Sequence, residues 1–447
     1  MKTPIFDFVE NYKRDERLRL HMPGHKGIGT LGVEGADITE IRGADILYSA
    51  DGIIKESMEN ATYLFGSKKT LFSTEGCTLA IRGMLALAII DAKRKGKSFS
   101  VLATRGAHKS FLTSAALLDF IPQWIDPQEG AGFISSQITA EDLSSYLKRC
   151  EEKPTALYIT SPDYLGQMAD ISSLRRICKD NDILLLVDNA HGAYLHFLSE
   201  PHHPLDLGAD MVCDSAHKTL PVLTGGAYLH LASSLPDEII AQAESILSTF
   251  ASTSPSYLIL QSLDLANRYL AKGYKEKLLE FSSALFNFKK KLRKIGFVLI
   301  EKEPLKIAIQ AKASGYLGTE LAELLENKGI VCEFSDPDYL VMMLTPENGI
   351  ETLEILEKLF CNISCKEPIL KFPPKAYHGK ICLSPKEALF SPSVEIPVEN
   401  AMGECLAEAG ITCPPAVPIA ISGECITEEH IKAFLYYGIK KIRVIKK

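Results

Sequence analysis

The chain has 447 residues, 46% of them hydrophobic and 23% charged, with a formal net charge of −7. These are the proportions of an ordinary globular protein of roughly two or three domains. No basic excess is available to neutralise nucleic-acid phosphates, and the longest apolar runs, MLALAII and ILLLV, are far too short for a bilayer. The N-terminus, MKTPIFDFVENYKRDE, carries acids early and lacks a continuous apolar core, so it is not a secretory signal, and a cytoplasmic location is expected. Eleven cysteines are scattered without a CxxC pair, and the closest spacing, Cys361 to Cys365, has no neighbouring histidine. That pattern reads as reduced, mostly buried thiols and no metal site.

In chain order, the first thirty or so residues are polar and mixed, and end in RLHMPGHKGIG, a loop or arm. From about Glu56 the pattern turns helical. KKTLFST then reads as a strand, TLAIRGMLALAIIDAKRKG as a helix, SFSVLAT as a strand and KSFLTSAALLDF as a helix. TALYITSP, ISSLRRICKDN and ILLLVDNA continue as strand, helix and strand, and GADMVC is a further short strand. Apolar runs alternating with amphipathic helices imply βαβ units and a largely parallel sheet covered on both faces, with right-handed crossovers gathering the strand ends at one edge. A long helical stretch over 257–296 leads out of this region. FVLIEKEPLKIAIQ, ELAELLENKG, IVCEFSDPDYLVMML and ETLEILEKLF then suggest a smaller α/β domain. KFPPK and CPPAVP punctuate a final segment that closes with ITEEHIKAFLYYG and the basic end IKKIRVIKK.

Four places at predicted strand ends carry chemistry. Asp188 follows the apolar run ILLLV, where an open parallel sheet binds its ligands, and can hold a positive charge on a heterocycle; a turn or N-cap aspartate is the plainer alternative. STEGCTLA, residues 73–80, lies between a strand and a helix, so its amides and the hydroxyls of Ser73, Thr74 and Thr78 can hold a phosphate. In RGAHKS, His108 can stack on a flat ring or cap the following helix. In CDSAHKTLPVLTGG, Lys218 has Ser215 and His217 beside it and glycines shortly after, as a lysine nucleophile requires. Phosphate loop, imidazole, strand-end aspartate and lysine, in this order, describe a pyridoxal phosphate site. Lys218 would form the Schiff base, and Asp188 would keep the pyridine nitrogen protonated.

LRLHMPGHKG (18–27), DITEIRGADILYSADGIIKES (37–57), RGAHKS, ITSPDYLGQMADI (159–171), VDNAHGAY (187–194), DSAHKTLPVLTGGAYLH (214–230), STSPSYLIL (252–260) and CPPAVPIAISGECITEEHI (413–431) cover the chain nearly end to end. On these motifs it resembles the Orn/Lys/Arg decarboxylases, bacterial basic-amino-acid decarboxylases of the aspartate-aminotransferase fold. The resemblance implies an α/β protein with a mostly parallel, seven-stranded-type sheet of pyridoxal phosphate fold type I, a smaller α/β domain and a C-terminal α+β segment. The boundaries expected are an arm at 1–35, a cofactor-binding large domain at 36–280, a small domain at 281–370 and a C-terminal decarboxylase-family domain at 371–447. It also implies that Lys218 forms the internal aldimine, Asp188 pairs with the pyridine nitrogen, His108 stacks on the ring and His191 lies beside it. Ser215, Thr78 and His217 would surround the phosphate with Gly76 and Cys77 near it, while Thr253 and Ser254 would reach the phosphate of the neighbouring subunit in a homodimer with shared sites. Three departures stand out: DNAHG where the family has DEAHG, through Asn189, and E-G-C where it has N-G-T, through Glu75 and Cys77. The chain reads as a short form without the N-terminal wing domain.

Reaction type has an argument of its own. Aminotransferases of this fold clamp the substrate carboxylate with a C-terminal-domain arginine, but after Arg293 the only arginine is Arg443, four residues from the end. A carboxylate without that clamp can stand perpendicular to the cofactor ring, which favours loss of CO2. His217 or Lys218 would then protonate the carbon. The substrate's distal cation needs an acid: Glu40, Asp45, Asp51 and Glu424 are candidates, with Glu424 and Asp51 preferred on the family pattern. The expectation is decarboxylation of lysine, arginine or ornithine to the amine, with no nucleic-acid or membrane partner. The alternatives are transamination or elimination, and a regulatory homologue without turnover.

Overall fold

The computed structural model describes all residues except 16, 126–136, 375–377, 413–417 and 447. Lys375 of KFPPK and Cys413 to Val417 of CPPAVP therefore lie outside the described residues. Among those described, the main sheet has β1 (Lys69–Ser73), β2 (Val101–Thr104), β3 (Gln123–Ile125), β4 (Ala156–Thr160), β5 (Leu184–Asp188), β6 (Met211–Asp214) and β7 (Ala227–Leu231). It is a mixed seven-stranded sheet, and the chain divides into two compact units: residues 1–99 with 184–277, and residues 100–183 with 278–447.

The first unit holds β1, β7, β6 and β5 in that order. β5 and β6 are parallel, whereas β7 runs antiparallel to both β6 and β1. Every residue of β5, β6 and β7 is buried, as continuous apolar strands require when both faces are covered. The helix Gly76–Arg94 packs on β6 and β7 and against the helix Asp237–Phe250. They approach so closely that a Cβ on Gly83 would stand 2.5 Å from Leu247 Cδ2.

The N-terminal arm and the long helical stretch both differ from what the sequence pattern predicts. The N-terminal arm contains a helix, Pro4–Arg14, started by Pro4 and seated through Ile5, Val9 and Tyr12. Its first amides, of Ile5 and Phe6, donate to Asp264 Oδ2 at 2.9 and 3.0 Å, and Ser57 Oγ donates to Asp264 Oδ1 at 2.6 Å. The N-terminal cap thus comes from a residue far along the chain, which no local pattern reveals. The helical stretch over 257–296 is two helices, Tyr257–Leu270 and Tyr274–Lys294, separated where Gly273 takes φ +78°.

The second unit holds β4, β2 and β3 in that order, all parallel. A second, antiparallel sheet places β10 (Tyr339–Met343) between β8 (Lys306–Gln310) and β9 (Phe334–Ser335). The C-terminal part pairs β11 (Ser393–Pro397) with β14 (Lys441–Ile445), and β12 (Gly410–Thr412) with β13 (Pro418–Ile421). Leu165, Val341, Ile419, Phe434 and Val444 share one core that joins these sheets.

Candidate active site

Asp188 ends β5 beside Cys213 of β6, its partner in the parallel register. The aspartate is buried, and its Oδ1 accepts from Ala190 N–H at 3.2 Å and from the Cys213 thiol at 3.6 Å. Burial pushes the Cys213 thiol well above its ordinary value, and Cys77 and the charges of Asp188 and Asp214 add to this, so the thiol keeps its proton and acts as a donor. One ligand atom from each of Cys77, Cys213 and Asp188 lies within 4.8 Å of the others.

Lys218 lies on the short helix Ala216–Thr219, directly after β6 and the buried Ser215. Its Nζ donates to His191 Nε2 at 3.1 Å, which leaves the His191 ring hydrogen on Nδ1. The Gly226 carbonyl accepts from His217 Nδ1–H at 3.0 Å and from His217 N–H at 3.2 Å. A carbonyl only accepts, so neutral His217 carries its hydrogen on Nδ1 and presents a bare Nε2. Burial lowers the pKa of this imidazole; the Gly226 carbonyl opposes that and the Lys218 charge adds to it.

Behind these groups lies a fully buried network. Asp214 Oδ1 accepts from Asn189 Nδ2–H at 2.7 Å, and Oδ2 accepts from His203 Nε2–H at 2.9 Å and His230 Nε2–H at 3.1 Å. His203 Nδ1 accepts from Leu205 N–H at 3.2 Å. His230 Nδ1 lies 2.8 Å from the Thr70 hydroxyl oxygen, and burial lowers the pKa of this imidazole against the pull of Asp214. For Asp214, burial acts upward, but the two histidines outweigh it and hold the carboxyl below the usual range. Asn189, a departure from the family motif, is the residue that can donate here; a carboxylate at its amide position would face Asp214 directly.

The turn into the helix Gly76–Arg94 is tied down by Ser73 and by glycines. Ser73 Oγ accepts from Glu75 N–H and donates to the Gly76 carbonyl, and Gly76 N–H donates to the Gly225 carbonyl at 2.7 Å. Gly76 has φ +68° and Gly225 φ +98°; a Cβ on Gly225 would meet the Thr74 carbonyl oxygen at 2.9 Å. Cys77 is buried and Thr78 half-buried in the first turn. Glu75 points away into solvent, where its Oε1 accepts from Ser252 N–H at 2.7 Å, so the acid in E-G-C holds the segment carrying Thr253 and Ser254. Those two residues are exposed.

Glu40, Asp45 and Asp51 line one cavity of about 370 Å³. Asp45 is not available to a ligand: its carboxylate accepts the amides of Ile46, Asp51, Gly52 and Ile54 and starts the helix Ile53–Phe65. Burial acts to raise its pKa, but these amides more than offset it. Asp51 is exposed, and burial raises Glu40.

The second unit holds the other two expected residues. His108 caps the helix Lys109–Leu118, its Nδ1 accepting from Ser110 N–H at 3.2 Å. Glu424 is wholly buried. Its oxygens accept from Arg105 Nη2 at 3.0 and 3.4 Å, from Gly379 N–H at 2.6 Å and from Ile421 N–H at 2.9 Å. Arg105 stacks over Trp124 at 5.2 Å. Arg105, Cys213 and Asp214 have partners distant in the chain, so in the sequence only their places at strand ends mark them. Arg443 is exposed on β14 between buried Ile442 and Val444.

A protein-family model described as Orn/Lys/Arg decarboxylase, major domain, matches residues 3–300. The uncharacterized protein YaaO of Bacillus subtilis is 32% identical over 97% of this chain and 93% of its own length. An arginine decarboxylase of the same organism is 28% identical over 96% and 92%. The crystal structure of the Francisella novicida lysine decarboxylase LdcF superposes with a TM-score of 0.80 at 16% identity, over 99% of this chain and 81% of that one. The fold is that of the pyridoxal phosphate enzymes of fold type I. With two-thirds of its length inside the family match and relatives aligned from end to end, the chain belongs to the Orn/Lys/Arg decarboxylase family and is an enzyme of the decarboxylase class.

Proposed function

We propose that this protein decarboxylates a basic amino acid to its amine and CO2 with pyridoxal phosphate, arginine being the first substrate to test because the relative aligned over 96% of the chain is an arginine decarboxylase. The observation that carries the reading is the set formed by Lys218, His191 and Asp188 at the ends of β5 and β6. The donor set fits the cofactor: an amine for the aldehyde, a buried carboxylate for the ring nitrogen, and the start of a 19-residue helix for the phosphate. Lys218 would hold the aldehyde carbon, Asp188 the ring nitrogen, and Gly76, Thr78, Ser215 and His217 the phosphate, with Cys77 beside them and His191 against the ring. When bound, the cofactor supplies an electron sink for the bond to the departing carboxylate.

The chain's own groups do the rest. Cys213 and the Ala190 amide fix the Asp188 carboxylate in one orientation. His191 Nε2 orients the Lys218 amine. His217 has its hydrogen committed to Gly226, so we propose Lys218 Nζ as the donor that returns a proton to the carbon. Asp51, exposed in the cavity with Glu40, is proposed to receive the distal cation, and Glu424 to act by fixing Arg105. The lack of an arginine clamp after Arg293 apart from exposed Arg443 supports decarboxylation over transamination. Borohydride reduction with the cofactor, followed by peptide mapping, should place the label on Lys218. Label on another lysine, or none, would count against the site.

A further inference from the structure

Cys77, Cys213 and Asp188 do more than surround a carboxylate. We propose that, in the cofactor-free protein, they form a site for one thiophilic divalent cation, with zinc as the test ion, and that this cation and the cofactor exclude one another. The exclusivity rests on the cofactor reading above, because Asp188 cannot ligate a metal and hold the ring nitrogen together.

Three observations support the site. The candidate ligand atoms all lie within 4.8 Å of one another, and all three residues are buried. Cys213 Sγ and Asp188 Oδ1 are 3.6 Å apart. Bonds of about 2.3 Å to sulfur and about 2.1 Å to oxygen at tetrahedral angles place two such ligands about 3.6 Å apart, so this pair already has the spacing. The Cys77 and Cys213 side chains interact directly, which completes a two-sulfur, one-oxygen set. Two sulfurs select a soft cation over magnesium or calcium, and three protein ligands leave a fourth position for water. On binding, both thiol protons pass to solvent and the sulfurs bind as thiolates. Sequence spacing could not find this site, since Cys77 starts a helix and Cys213 lies on β6; the sheet brings them together.

The test uses full-length protein stripped of cofactor with hydroxylamine and of metal with a chelator. Equilibrated with zinc and desalted, the wild type and Lys218→Ala should each retain one zinc per chain, whereas Cys213→Ser and Cys77→Ser should retain none. Cobalt should give thiolate-to-metal charge-transfer absorption in the wild type that both cysteine variants lack, and circular dichroism checks their folding. Adding pyridoxal phosphate to the zinc-loaded protein should release the metal. No zinc in the wild type, equal zinc in folded cysteine variants, or zinc retained alongside bound cofactor would each overturn the proposal. Cofactor uptake is measured first on metal-free protein, so its absence there counts against the function alone while zinc retention still decides the site.

Discussion

Asn189 shows how a single departure is fixed by its neighbour. Its Nδ2 donates to Asp214 Oδ1 at zero exposure, and Asp214 already serves two histidines. Asn189→Asp would set two carboxylates against each other in a dry interior. We expect a loss of about 2–4 kcal/mol in chemical denaturation. An unchanged midpoint would mean that Asp214 is not the ionised centre of that network. None of this was legible in DNAHG alone, which shows only that an acid is missing. By contrast, strand-end position and residue type mark Asp188 and Lys218 as candidates without knowledge of any partner, whereas His191 is marked only by the family resemblance.

Among elements, the helix Pro4–Arg14 depends on Asp264, which takes up its first amides from another helix. Asp264→Ala strips three hydrogen bonds and should cost about 2–4 kcal/mol, with early proteolysis inside residues 1–14. Burial raises the Asp264 carboxyl to about 6 from 3.8, against the pull of Ser57, Phe6 and Ile5. The native state therefore holds a proton there that the unfolded chain has lost between those two values. The group's contribution to stability falls as pH rises through that window and stays lost above about 6. Asp264→Asn should flatten that part of the stability–pH curve; an unaltered slope would place the titration elsewhere. Strands β1, β2, β4, β5 and β6 and the helices Gly76–Arg94, Lys109–Leu118 and Ile171–Asp180 were legible from apolar runs and periodicity, whereas the short β3 and the antiparallel β7 were not. The first helix was not, because its cap is 259 residues away, and the break at Gly273 was missed because helical spacing continues on both sides.

For the whole molecule, the homodimer with shared sites is a proposal that rests on the exposed segment holding Thr253 and Ser254, pinned by Glu75 through Ser252. If that segment completes a partner's phosphate site, a Thr253→Ala/Ser254→Ala double variant mixed with Lys218→Ala should regain up to about a quarter of wild-type activity, since random pairing leaves one intact site in half of the dimers. No recovery in mixtures shown to exchange subunits would contradict the shared site.

Decarboxylation is measured as CO2 release from arginine, lysine and ornithine, supplied separately to purified protein with pyridoxal phosphate, with Lys218→Ala as the control. CO2 should appear with an equimolar amine from at least one of them, arginine first, and none in Lys218→Ala. No release from any of the three by protein that has bound the cofactor, or equal release from the variant, would contradict it.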